Sequence, residues 1–304
     1  DETDNWIWPR HTGDFCVLRI YVDESGMPAE YSSKNKPLVP KQSLAISLKG
    51  YNENDYAMIM GFPGSTDRYK SSAEIKYSQS MNNSTVKLIG DIVLANYKKY
   101  MNEDSLVRIK YASKYDNLSN FWKYSIGQSK GITNLNVVDK KAEQEKALRE
   151  WILADTARIA KYGGVIDTLA HFYENNAFSY AYYTMLNVGL LDQVQTFMFA
   201  YDCLDIVDAL NSQDPVFLRE VQVRLRDKAK EFYKNYSAEV DQAQFVGLTY
   251  ATWYYLNYPI YTDKTFPLVK KYKKDVSKYA TNVFQKSVFT DEARFYAFLD
   301  EPDL

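Results

Sequence analysis

Histidine and cysteine are almost missing from this chain of 304 residues, which has two of each. There is no His-Glu-x-x-His run and no cysteine pair at metal-ligand spacing. Zinc therefore has little to bind, and nothing in the pattern calls for a cofactor. Cys16 and Cys203 stand far apart and read as two buried free thiols, a disulfide between them being the other reading. Cysteine usage thus leaves the compartment open. An excess of charge of one sign is also missing. A net charge of −2 and a pI near 5.9 give no electrostatic basis for nucleic acid or anionic lipid as partner. No apolar run reaches the ~18 residues of a membrane span. No basic-then-apolar leader precedes the first aromatic motif, and the abrupt start at Asp1 reads as that of an internal fragment. No Gly-x-Ser-x-Gly or Gly-Asn-Ser-Gly turn presents a nucleophilic serine. No fixed-period repeat suggests a solenoid.

Proline supplies the last absence and divides the chain. None occurs between Pro63 and Pro215. Before that gap the texture is that of strands. Residues 15–22, 42–48 and 56–62 carry β-branched and aromatic alternation. Turns are expected at 23–26 and 50–55, and an extended loop at 27–40. From about residue 70 the apolar spacing changes to three and four. Helices are predicted over 71–81, 84–101, 104–131 with a possible break near Asp116, 134–161, 164–175, 178–188, 190–211, 214–235, 237–257, 263–285 and 291–299. Asp214 and Pro215 make a helix start. Leu218, Val221, Leu225, Ala229, Phe232 and Tyr236 form its apolar stripe, with Glu220 and Arg224 expected to pair on the exposed face. Residues 245–258 are apolar nearly all round and predict a central helix. Gly163-Gly164 marks a helix stop.

The 27 tyrosines suit half-buried positions where the hydroxyl finds a partner. One stretch concentrates unlike chemistry: Asn5-Trp6-Ile7-Trp8-Pro9-Arg10-His11-Thr12-Gly13-Asp14-Phe15. Two indoles suit neither a solvated loop nor, beside Arg10, His11 and Asp14, a buried strand. The wall of a cleft suits both. Asp14 reads either as a turn residue bonded to local backbone or as a carboxylate that orients a catalytic histidine. His11 stands three residues away, yet no serine turn accompanies it. His171, in Leu169-Ala170-His171-Phe172-Tyr173, reads as a packed structural histidine. Gly61-Phe62-Pro63-Gly64-Ser65-Thr66 lacks the lysine of a phosphate loop, and its proline removes an N–H donor. Lys270-Lys271-Tyr272-Lys273-Lys274 reads as a solvated helix face.

Three motifs, in order, carry a resemblance. They are Asn5-Trp6-x-Trp8-Pro9-Arg10-His11-Thr12-Gly13-Asp14-Phe15; Gly61-Phe62-Pro63-Gly64-Ser65-Thr66-Asp67-Arg68-Tyr69; and Arg108-Ile109-Lys110-Tyr111-Ala112-Ser113-Lys114-Tyr115 with Asn120-Phe121-Trp122-Lys123. They resemble the bacterial dipeptidyl-peptidase 7 and 11 family of serine exopeptidases over essentially the whole chain. The resemblance implies an α+β chain: the C-terminal part of a chymotrypsin-like β-barrel in residues 1–70, then a large all-α helical cap domain in 71–304. It implies Asp14 as the triad aspartate, and Asn5 with Trp6 as the residues that hold a substrate's free N-terminus. An amide oxygen accepts from an ammonium, and an indole face attracts the cation. The catalytic histidine would lie upstream of Asp1 and the serine downstream of Leu304, so His11 would not be the base and the piece alone would be inactive. The resemblance further implies peptide substrates, a periplasmic or secreted bacterial setting, and no cofactor; it leaves a homodimer open. Residues 64–72 are expected to form a hinge. The alternative is a non-enzymatic helical module binding a peptide or protein through its tyrosine-rich surface.

Overall fold

The computed structural model describes residues 5–6, 16–58, 60–61, 67–254, 271–272 and 275–302. Backbone contacts divide the chain into two compact units. One comprises Trp8–Tyr69 with Asp1 and Thr3, and the other Lys70–Leu304 with Glu2 and Asp4–Ile7.

In the first unit, turn chemistry is realised, and strand pairing extends over only two residues on each side among the described residues. Asp23 closes a turn, its Oδ1 accepting from Ser25 Oγ at 2.6 Å and from the Met27 amide at 2.9 Å. Gly26 there takes φ +87°, a conformation that glycine adopts without penalty. The 50–55 turn forms similarly, with the Asn52 amide donating to Asp55 Oδ2 at 2.7 Å. Among the described residues the sheet is one antiparallel pair, β1 (Tyr21–Val22) with β2 (Lys36–Pro37). β2 falls within the stretch expected to be a loop. The expected strands at 15–22, 42–48 and 56–62 are otherwise irregular where described. The reason is pairing: alternation selects a face, but only a neighbouring strand satisfies the backbone and covers that face. Leu44, Ile46 and Leu48 keep their alternation and are nearly fully exposed.

The second unit is helical. α1 (Ser72–Tyr77) runs through a π-helical segment, Ser78–Asn82, into α2 (Asn83–Glu103), so the expected 71–81 and 84–101 helices are one rod. α3 (Ser105–Asn134) passes Asp116 unbroken. A single residue joins α2 to α3: Asp104, whose carboxylate accepts from the Leu106 amide at 2.7 Å and caps α3. Pairs Asn83–Ser129, Asp91–Trp122 and Tyr97–Tyr111 show the two helices to be antiparallel. The expected 134–161 helix breaks into α4 (Val137–Leu153) and α5 (Thr156–Tyr162), because Asp155 caps a new start by accepting from Arg158 N. Gly163 ends α5. The expected 164–175 and 178–188 helices fuse into α6 (Val165–Thr184) and a second π-helical segment, Met185–Leu191. Residues 190–211 divide into α7 (Gln195–Asp202) and α8 (Asp205–Ser212). α9 (Pro215–Lys234) starts on Asp214, whose side chain accepts from the Val216 and Phe217 amides. α10 (Ala238–Tyr254), α11 (Val276–Lys286) and α12 (Glu292–Asp300) complete the described helices. Residues 255–270 lie outside the described residues, as does most of the 270–274 lysine run.

Two apolar clusters form the interior. The first gathers Ile89, Val93 and Tyr97 of α2, Tyr111 and Leu118 of α3, Phe245 and Leu248 of α10, and Ala280 and Phe284 of α11. The second gathers Phe199, Val221, Leu225, Ala229, Tyr233 and Phe295 from α7, α9 and α12. The α9 stripe is thus realised, but Arg224 pairs with Asp205 of α8 rather than with Glu220. α7 serves both clusters, since Phe197 packs against the first while Phe199 stacks on Phe232 at 4.0 Å in the second. α10 is central as expected through Trp253, and it also buries Asp241, Gln244, Thr249 and Thr252.

Candidate functional site

α3 is the element on which the site is built. Asn120 lies near its middle, and Asn120 Oδ1 accepts from Asn5 Nδ2 at 2.9 Å and from Trp6 Nε1 at 2.9 Å. A carbonyl oxygen has two lone pairs, so the two donors fill it. One turn on, Tyr124 meets the Trp6 indole, with ring centroids 5.3 Å apart and planes tilted by 59°. Another turn on, Gln128 Nε2 donates to the Tyr124 hydroxyl at 2.5 Å, and Gln128 Oε1 accepts from Asn83 Nδ2 at 2.9 Å. Asn120, Tyr124 and Gln128 therefore make one polar stripe down α3, anchored at its far end on α2.

Trp6 adopts φ +62°. For a bulky residue this left-handed conformation is an outlier that costs on the order of 1–3 kcal/mol and persists only where neighbours impose it. Here Asn120 and Tyr124 do so. The indole remains 57% exposed, so it is fixed in direction but still reachable. The NH2 end of the Asn5 amide is likewise engaged by Asn120. Asn5 and Trp6 thus set an amide beside an aromatic surface, both held by one oxygen of Asn120.

Two helical turns before Asn120, α3 enters a buried polar knot. Asp241 of α10 is fully buried and accepts from the Gln195 amide at 2.6 Å, from the Thr196 amide at 3.1 Å, and from the Thr196 hydroxyl. It is the N-terminal cap of α7 supplied by another helix. Burial outweighs these donors and pushes the Asp241 carboxyl up to about 6. Gln195 is held at both ends of its side chain, donating to the Tyr111 hydroxyl at 2.7 Å and accepting from Lys114 Nζ at 2.5 Å. Lys114 also donates to the Asn235 carbonyl at 3.0 Å, and burial brings its ammonium down to about 8. Burial likewise raises the Tyr111 and Tyr236 hydroxyls. Asp241, Thr196, Tyr111 and Tyr236 are buried, Gln195 and Lys114 are half-buried at its edge, and the side chains bond largely to one another. It is an internal brace at the meeting of the two apolar clusters.

Of the residues singled out in the sequence, Asn5 and Trp6 are brought together on α3, while Asp14, His11 and Trp8–Arg10 lie outside the described residues. His171 is exposed rather than packed, and its Nε2 lies 2.7 Å from Asn175 Nδ2 one turn along α6. Cys203 is buried as expected, Cys16 is exposed, and both are free. Asn120 belongs to the third motif, where its residue type alone assigns it no role, and Tyr124 follows directly after that motif. The signal that could have found Tyr124 is its spacing of four from Asn120; the 114–115 positions that separate them from Trp6 and Asn5 carry none. No group of three metal-ligating side chains occurs among the described residues, and none of their helices is long and apolar enough to cross a membrane.

A model of the family described as Peptidase S46 matches residues 1–304. The chain is 37% identical to a dipeptidyl-peptidase 7 of Porphyromonas gingivalis over 99% of its own length and 41% of that protein. It is 34% identical to an Asp/Glu-specific dipeptidyl-peptidase of the same organism, over 100% of this chain and 42% of the relative. Among solved structures, Porphyromonas endodontalis DPP11 in complex with the dipeptide Arg-Glu superposes with a TM-score of 0.75 at 27% identity, covering 99% of this chain and 43% of that one. The chain thus spans about two-fifths of the length of these relatives.

Proposed function

The chain belongs to the peptidase S46 family, and from that premise we propose that it is the central segment of a serine-type dipeptidyl aminopeptidase. The whole enzyme releases dipeptides from the N-terminus of peptides. The observation that carries this reading is the convergence of Asn5 and Trp6 on Asn120 Oδ1, with Trp6 set against Tyr124. An endopeptidase has no use for a fixed amide and a fixed indole side by side. An exopeptidase uses them to hold the α-ammonium and so to set how far the scissile bond lies from the chain end. Relatives named as dipeptidyl-peptidases, one solved with a bound dipeptide, support the assignment.

The remaining roles follow from the resemblance. Asp14 is the triad carboxylate that orients a histidine, residues 1–70 belong to a chymotrypsin-like barrel, and the helical unit caps the cleft. The histidine and serine come from parts of the enzyme outside these 304 residues, so the segment by itself does not turn over substrate. The enzyme works in the periplasm or at the cell surface.

The test uses the full-length enzyme and a fluorogenic dipeptidyl substrate. Asn120→Ala removes the acceptor of two hydrogen bonds, each worth about 0.5–1.5 kcal/mol. The expected result is a rise in KM that lowers kcat/KM by roughly 5- to 150-fold. An unchanged KM, or equal cleavage of substrates with acetylated N-termini, would overturn the reading.

A further inference from the structure

The clamp residues are placed by Asn120 and Tyr124, and something must in turn fix the height and rotation of α3 where these two project. Trp122 lies between them, on a different face of the helix. Its indole Nε1 donates to Asp91 Oδ1 of α2 at 2.9 Å. The other oxygen of Asp91 is taken by Lys87 Nζ at 2.5 Å, one turn earlier on α2. The indole sits against Gly90. A Cβ added there would stand 2.2 Å from Trp122 Cδ1 and 2.9 Å from Trp122 Cβ. Only glycine leaves room for this seat. A flat ring pressed on backbone, with its single donor aimed at a carboxylate, fixes both the separation and the sliding of two antiparallel helices.

We propose that Trp122, seated on Gly90 and bonded to Asp91, is the positioning residue of the N-terminus clamp: it sets the register of α3 that brings Asn120 to Asn5 and Trp6. This rests on the reading of Asn5 and Trp6 given above. The seat touches neither substrate nor the reacting atoms. It acts through Asn120, and its loss shows in substrate binding rather than in the chemical step. Hydrogen bonds weaken steeply with distance and angle, so a shift of about 1 Å at Asn120 is enough to loosen the clamp.

Four variants of the full-length enzyme separate the outcomes. Trp122→Phe keeps a ring over Gly90 and loses the donor. Asp91→Ala, at a side chain partly open to solvent, loses the acceptor. Asp91→Asn keeps an acceptor for the indole and loses only the charge facing Lys87. Asn5→Ala tests the clamp itself. Trp122→Phe and Asp91→Ala are expected to raise KM by about 3- to 30-fold with kcat within about twofold of the parent, and Asp91→Asn to restore KM. The proposal is overturned if Asn5→Ala raises KM while Trp122→Phe and Asp91→Ala leave it unchanged, or if these two lower kcat and thermal stability with no change in KM. If Asn5→Ala itself has no effect on KM, the clamp reading fails and the positioning role fails with it.

Discussion

The same substitution, glycine to alanine, should have different consequences at two helical positions of this chain. Gly247 lies where α10 crosses α2, and a Cβ there would stand 2.6 Å from Ile92 Cγ2. Gly127 lies on α3, and a Cβ there would meet nothing within 4 Å. Both sites gain the same intrinsic helix preference, about 0.8–1 kcal/mol in favour of alanine. That contribution cancels when the two variants are compared. What is left is the overpacking at Gly247, against a β-branched side chain with little freedom to turn, typically about 1–3 kcal/mol. Gly127→Ala should therefore be more stable than the parent by just under 1 kcal/mol. Gly247→Ala should be neutral to about 2 kcal/mol less stable. For a helical unit of this size the gap between the variants corresponds to roughly 2–12 °C in melting temperature. Thermal unfolding followed by far-ultraviolet circular dichroism on the two variants measures it directly. If Gly247→Ala melts at or above Gly127→Ala, the close approach of α10 to α2 is wrong.

Three further outcomes follow. The Asp241 carboxyl, raised to about 6 by burial, favours the folded state while protonated. Its contribution is complete below about pH 4 and is lost as pH rises through 6, a change on the order of 3 kcal/mol. Subtracting the stability–pH profile of Asp241→Asn from that of the parent should isolate this slope; identical profiles would refute it. Asp241→Ala leaves the α7 amides of Gln195 and Thr196 without their acceptor and should destabilise by about 2–5 kcal/mol, visible as a lowered denaturation midpoint. The buried Cys203 thiol is pushed up to about 12, whereas Cys16 is exposed. A thiol-reactive disulfide reagent should titrate one cysteine rapidly in the native protein and both in denaturant, and two fast thiols in the native protein would contradict the burial of Cys203.

Helices whose ends carry their own chemistry were legible from sequence. Asp214 followed by Pro215 announced α9, and its stripe faces the core. Breaks inside long periodic stretches were less legible, because Asp155 bears the chemistry of a cap while the apolar spacing on either side runs through it. The two π-helical segments keep helical spacing and give no local sign. Among the described residues the strand readings were realised only at Tyr21–Val22, and the reason is different. Alternation at Leu44, Ile46 and Leu48 is a property of one segment, whereas a sheet is a property of at least two. At the site, Asn5 and Trp6 stood out by residue type. Their dependence on Asn120 and Tyr124 is a contact across more than a hundred positions and has no local trace. Glycines 90 and 127 are alike in sequence, and only the fold tells them apart.

The shared oxygen of Asn120 also bears on how such a site can diverge. Residues 5 and 6 each hold one bond to it, so a change that removes one of these donors leaves the other its anchor. Position 120 has no such freedom, since any side chain without an acceptor at that reach releases both neighbours together. As far as anchoring alone goes, change can therefore enter at residues 5 and 6 singly. A change at 120 would demand simultaneous changes at both, and that makes it the slowest of the three to drift.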